Sequence, residues 1–257
     1  LHSPIGVYLR REVLKNEGKS DITVKRRLYE KIVANQLADG SWDKIFVRTA
    51  NNLWNLALLG YTVKNKNIER GLKWLLRIHR HQYRGYPGFF LSENKEDTRL
   101  MRSTFYGEFG PGCTILYQTA YSIHIFHIFG FSNNRQILTT VNSILQFWRP
   151  GWCGAWCTIN IFRVLIEHPL SAESKQVQKS VKHLAKKQSK LGAWKGFPFY
   201  HTFHALSIMN NVIAKKQLEK ALPLVIKRQN KNGSWGRKDP ETETFLVLDG
   251  LKNSELL

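Results

Sequence analysis

One pattern recurs three times in this chain at identical internal spacing: Gln36-Leu-Ala-Asp-Gly40-Ser-Trp42, Gln188-Ser-Lys-Leu-Gly192-Ala-Trp194 and Gln229-Asn-Lys-Asn-Gly233-Ser-Trp235. Self-similarity of this kind marks a repeat architecture and restricts the fold more than composition does. Weaker copies at Gln82-Tyr-Arg-Gly85-Tyr86 and from Gln146 to Gly151-Trp152 bring the count to five. Each copy follows an amphipathic stretch, such as 24–37 or 216–229, and precedes a more apolar one. In the last copy Ala221, Leu222, Leu224 and Val225 recur at helical spacing with lysines opposite, as in an outer helix with one wet face. The apolar stretches 49–59, 113–129, 157–166, 200–209 and 243–251 read as inner helices.

A single hairpin cannot bury its apolar face, so several must stack, and closing the stack removes its exposed ends. The expected fold is all-α: an α/α toroid of about five helical hairpins around a central cavity, with residues 1–257 as one domain. An additional N-terminal helix over 3–16 would close it against the last repeat. An open solenoid is the alternative. The motif itself reads as a joint, its glycine left-handed at a helix end and its tryptophan pinning the turn.

A chain of 257 residues buries enough surface to need no disulfide staples. Its three cysteines, Cys113, Cys153 and Cys157, fit free thiols in a reducing compartment, and with no apparent leader or membrane span the expected location is cytoplasmic. The net charge of +20 is uneven: from 174 to 238 there are fifteen Lys or Arg against the single acid Glu219. Such a stretch is either the solvated outer face of helices or a surface for an anionic partner, whether nucleic acid, acidic membrane or phosphorylated ligand.

The QxxxGxW motif between an outer and an inner helix resembles the QW repeat of squalene and oxidosqualene cyclases, and the two-helix unit is similar to that of protein prenyltransferase β subunits. The resemblance covers about residues 3 to 253. It implies a toroid whose cavity takes an apolar, isoprenoid-like or isoprenoid-diphosphate-like ligand. Class II cyclases of this superfamily begin with an acidic DxDD segment that protonates an alkene; this chain has none, which disfavours proton-initiated cyclisation and leaves prenyltransferase-like transfer as the enzymatic reading.

Aligning the inner helices on their starts gives Arg48-Thr49, Cys113-Thr114, Cys157-Thr158, His201-Thr202 and Glu243-Thr244, a polar ring at one mouth of the cavity. The threonines read as helix-start caps. Cys113, Cys157 and His201 are residue types that zinc prefers. The segment Phe199-Tyr200-His201-Thr202 resembles the stretch bearing the zinc-ligand histidine of farnesyltransferase β subunits, and Cys157 falls where that family's ligand cysteine is expected. The family's ligand aspartate, two positions before the cysteine, is Ala155 here, so that site is not intact. Zinc on Cys157, His201 and Cys113, a nucleophilic Cys157–His201 pair, and plain filling of helix starts all remain open.

Glu108, in a glycine-rich loop, is the candidate general acid. Trp54, Tyr117, Tyr121, His124, Tyr200 and His204 are candidate cavity-wall residues, since spacings of three and four put Tyr117, Tyr121 and His124 on one face. Arg48 and Arg149 are candidates for an anionic headgroup. The segment 83–112 reads as a long lid-like or disordered loop. Against the enzyme stands a non-catalytic basic scaffold that binds nucleic acid or an acidic partner through its outer face.

Overall fold

The computed structural model describes residues 2–83, 86–92, 94–104, 111–150 and 154–256. The fold class is all-α: twelve α-helices and one β-hairpin among the described residues. Contacts divide the chain into two compact units. Unit 1 comprises Leu1–Tyr8 and Asn16–Phe147, and unit 2 comprises Leu9–Lys15 and Trp148–Leu257.

Unit 1 contains α1 (Pro4–Tyr8), α2 (Lys19–Val33), α3 (Phe46–Leu58), α4 (Lys66–Arg77), β1 (His79–Tyr83), β2 (Tyr86–Phe90), α5 (Lys95–Thr104), α6 (Pro111–Ile128) and α7 (Arg135–Phe147). The second helices of successive hairpins, α3 and α6, pack on each other, and α1 packs on α3. Val7, Val24 and Leu59 form a buried cluster that joins α1, α2 and the end of α3. Unit 2 contains a π-helical turn (Leu9–Val13), α8 (Ala155–Glu167), α9 (Lys175–Lys187), α10 (Phe199–Ser207), α11 (Val212–Lys227) and α12 (Pro240–Asn253). Here α8, α10 and α12 are successive neighbours, the π-helical turn packs on α12, and α9 and α11 form a second layer. The expected N-terminal helix is therefore α1 followed by a π-helical turn, each serving a different unit.

The repeat motif acts through three bonds. Gln36 Nε2 donates to its own turn at Gly40 O and to Asn67 O in the next hairpin, both at 2.8 Å. Gln188 repeats this with Gly192 O (3.0 Å) and Gln217 O (2.7 Å). In these two copies one amide thus staples a hairpin to the next, giving one hydrogen to the carbonyl of its own turn and the other to a helix carbonyl of the following hairpin. The indole N–H of Trp42 returns to Ile32 O (2.7 Å) and that of Trp235 to Val225 O (2.8 Å), while Trp194 donates to Gln217 Oε1 (3.0 Å).

Two expectations about this joint need correction. Gly40, Gly192 and Gly233 do have positive φ (91°, 92° and 81°), but they lie in the turn and not at a helix end, since α2 ends at an Ala34 cap with φ −56°. A Cβ on Gly40 or Gly192 would come within 2.3 Å of a backbone oxygen of the next hairpin, Arg70 O or Lys220 O. The threonines are not caps either. Thr49 Oγ1 accepts the backbone N–H of Trp42 (3.0 Å) and Thr244 Oγ1 that of Trp235 (2.9 Å), which ties the turn to the second turn's worth of helix, while the N-cap positions are Ile45 and Asp239.

The described part of 83–112 is not a structureless loop. It holds β2, which packs on α6 and α7, and α5. Asp97 on α5 is fully buried and its carboxylate accepts the N–H groups of Phe46 (3.1 Å) and Val47 (2.8 Å). It caps α3 from fifty residues away, where both the orphan donors and the helix dipole favour a negative charge. The weak copy at Gln82 is replaced by the β1–β2 hairpin, with His79 opposite Phe90.

Candidate functional site

The five aligned positions keep their register. Arg48, Cys113, Cys157 and His201 are each the third residue of α3, α6, α8 and α10, and Glu243 is the fourth of α12. Their environments differ. Arg48 is exposed and paired with Asp43, Cys113, His201 and Glu243 are half-buried, and Cys157 is only 5% exposed. A cysteine so packed behaves as a small apolar side chain.

In unit 1, Cys113, Tyr117, Tyr121 and His124 are the half-buried residues along one stripe of α6 whose other positions between them are buried. Tyr117 and Tyr121 rings lie 5.7 Å apart, Tyr121 stacks on His124 at 6.3 Å, and Phe46 meets Tyr121 edge-on at 6.3 Å. Tyr121 donates its hydroxyl to Asn51 Oδ1 at 2.7 Å, which fixes the ring against α3, where Trp54 is also half-buried. The stripe presents aromatic side chains, with the Tyr121 hydroxyl satisfied, the composition of an apolar-ligand wall. A cavity of about 690 Å³ in the same unit lies elsewhere: Arg48, Asn52, Asn55, Lys31 and Trp42 line it, and no member of the aromatic stripe does.

In unit 2, Trp156, Asn160, Arg163 and Glu167 form the matching half-buried stripe on α8. Trp156 meets His201 edge-on at 4.9 Å, and Arg163 pairs with Glu167 at 3.1 Å. Burial, with help from the Arg163 charge, lowers the His201 pKa to about 3, so its ring is neutral at physiological pH. His204 is almost fully buried, and burial followed by Arg163 pushes its pKa down, while the hydrogen bond to Asp249 opposes this. A neutral His204 donates Nε2–H to Asp249 Oδ2 at 2.9 Å, and Asn253 donates to the same oxygen at 3.1 Å. Its Nδ1 is buried and meets no hydrogen-bond partner among the described residues, and the same holds for Asn160 Nδ2 on α8 and for Gln118 Nε2 and Ser122 Oγ on α6. Phe245 lies 5.9 Å from the His204 ring. Tyr200 is half-buried and its pKa is raised by burial, as is that of Glu243, which packs over Gly236.

Among the described residues no group of three or more His, Cys, Asp or Glu is placed to hold a metal ion, so within unit 2 Cys157 and His201 gain no third such ligand from them. Cys113 belongs to unit 1. Glu108 and Cys153 lie outside the described residues, and Arg149 is exposed. Sequence reasoning missed the Asp97 cap, the α8 stripe and the Asp249 partner of His204. Asn94-Lys-Glu-Asp97 is a legible helix start, since Asn94 Oδ1 accepts Glu96 N–H at 3.0 Å. The pairing of Asp249 with His204 spans 45 residues and has no local signal.

No family model matches this chain, and no curated protein does. Solved structures do. A single-residue variant of the type II terpene cyclase MstE from Scytonema, in complex with geranylgeranyl dihydroxybenzoate as substrate, is similar over 100% of this chain and 87% of its own, with a TM-score of 0.66 at 13% identity. Another variant, in complex with the product merosterolic acid A, is similar at a TM-score of 0.65, 13% identity and the same coverage. A protein from Actinoplanes is similar over 98% of this chain and 89% of its own, with a TM-score of 0.64 at 14% identity. At such identities the likeness carries the fold: an all-α toroid class of terpene-cyclase type.

Proposed function

We propose that this protein binds an isoprenoid-like apolar ligand against the aromatic stripe of α6. The observation that carries this reading is the half-buried run Tyr117–Tyr121–His124, with Tyr121 anchored on Asn51 and the residues between them buried. Aromatic faces attract an alkene chain by dispersion and any cationic centre by their quadrupoles. The similarity to a terpene cyclase bound to a geranylgeranyl compound supports the same ligand class. The absence of a DxDD segment speaks against proton-initiated cyclisation, and the reading includes no zinc step.

Titration of the purified chain with geranylgeraniol and geranylgeranyl diphosphate, followed by tryptophan fluorescence, tests it. Saturable binding is expected, weakened about tenfold or more by Tyr121→Ala, because an aromatic side chain in a ligand contact contributes on the order of 1 to 3 kcal/mol. Absence of saturable binding, or a folded Tyr121→Ala variant that binds as the wild type does, refutes the assignment.

A further inference from the structure

All fifteen Lys and Arg residues between 174 and 238 are exposed, and Glu219 is the only acid among them. They sit on α9, on α11 and in the turns that follow each, and α9 and α11 pack against one another. Both helices turn Val177, Val181 and Leu184, or Ala214, Leu218, Ala221 and Val225, inward, so the lysines share an outward face. Charge alone would suit any polyanion.

The repeat discriminates among polyanions. In the first and third copies the residue before the motif glycine is Asp39 or Asn232. Asp39 Oδ1 accepts the backbone N–H (2.9 Å) and hydroxyl (2.6 Å) of Ser41, and Asn232 Oδ1 does the same for Ser234 (3.2 and 2.7 Å). The middle copy keeps the same backbone turn, with Ser189 N–H to Ala193 O at 2.8 Å, but replaces both side chains with Leu191 and Ala193. A turn-stabilising residue has given way to a leucine that is 80% exposed. Ile226, 63% exposed, lies between exposed neighbours of the same face, beside Lys227 and Arg228. Two bare aliphatic side chains thus adjoin cations of this stretch, Leu191 next to Lys190 and Ile226 next to Lys227. Phosphodiester backbones reward the cations but not the aliphatics, whereas a lipid interface rewards both.

We infer that the α9–α11 face of unit 2 docks on an anionic lipid bilayer, its lysines on the headgroups and Leu191 and Ile226 entering the acyl boundary. This inference is independent of which ligand the protein binds.

Co-sedimentation of the full chain with phosphatidylcholine vesicles, with and without about 30% phosphatidylserine, tests it at low and high salt. Binding is expected only with the anionic lipid, and to weaken steeply with salt, because the attraction falls off within a Debye length of about 10 Å at 0.1 M. Leu191→Asn restores the turn residue of the other copies, so it keeps the fold; it should weaken binding about three- to tenfold with an unchanged melting temperature. Lys186→Gln, Lys187→Gln and Lys190→Gln together should cost about a hundredfold and flatten the salt dependence, at about fivefold per cation. Equal binding to neutral vesicles, wild-type binding by folded Leu191→Asn, or displacement from anionic vesicles by an equal mass of duplex DNA overturns the inference.

Discussion

Gly192 and Gly233 occupy the same place in the same motif and have nearly the same backbone, with φ of 92° and 81°. Their surroundings differ. A Cβ on Gly192 would lie 2.3 Å from Lys220 O and 2.8 Å from the Ala221 Cα, whereas one on Gly233 would find only Gln229 Nε2 at 3.9 Å. Gly233→Ala should therefore cost only the left-handed strain of an L-residue, about 1 to 2 kcal/mol. Gly192→Ala carries the same strain and must also push α11 away from the turn. The obstacle is backbone and cannot rotate aside, and overpacking of this sort adds about 1 to 3 kcal/mol. It further stretches the Gln188 bonds to Gly192 O and Gln217 O, about 1 kcal/mol each. The two variants should differ by about 2 to 5 kcal/mol, or about 4 to 20 °C in melting temperature at 2 to 4 °C per kcal/mol for a chain of this size. Thermal unfolding followed by far-ultraviolet circular dichroism measures the difference. Equal losses for the two variants would show that the motif needs glycine for its backbone angle alone, and the role assigned to close approach would be wrong.

Asp97→Ala leaves the Phe46 and Val47 amides buried without their acceptor and should cost about 2 to 4 kcal/mol, read as a lower urea midpoint; a loss under about 0.5 kcal/mol would remove α5 as the cap of α3. His201, with its folded pKa near 3 against 6.5 for the free side chain, binds fewer protons folded than unfolded between those values. Its contribution is intact above about pH 6.5 and is lost as the pH falls toward 3, so His201→Phe should reduce the decline in urea midpoint between pH 7 and 4.5, and an undiminished decline in that variant would place the titration elsewhere.

The aromatic stripe of α6 was legible because its spacing is local: Tyr117, Tyr121 and His124 share a face on any helix that contains them. The five aligned helix starts were legible for the same reason, and the structure keeps them in register. What each position does was not. Cys157 and His201 are the same kind of position in successive hairpins, yet one is packed away and the other keeps partial exposure beside Trp156.

By itself, the sequence determined the hairpin repeat, its all-α character and the composition of one aromatic stripe, because helical periodicity and a recurrent turn are encoded within a few residues. Only the tertiary structure decided that the motif glutamine staples neighbouring hairpins, that Asp97 caps α3, that Asp249 holds His204, and that the middle motif turns its leucine outward onto a basic face. Each of these depends on groups tens of residues apart meeting within about 3 Å, or on how much surface the rest of the chain covers, and no local pattern encodes either.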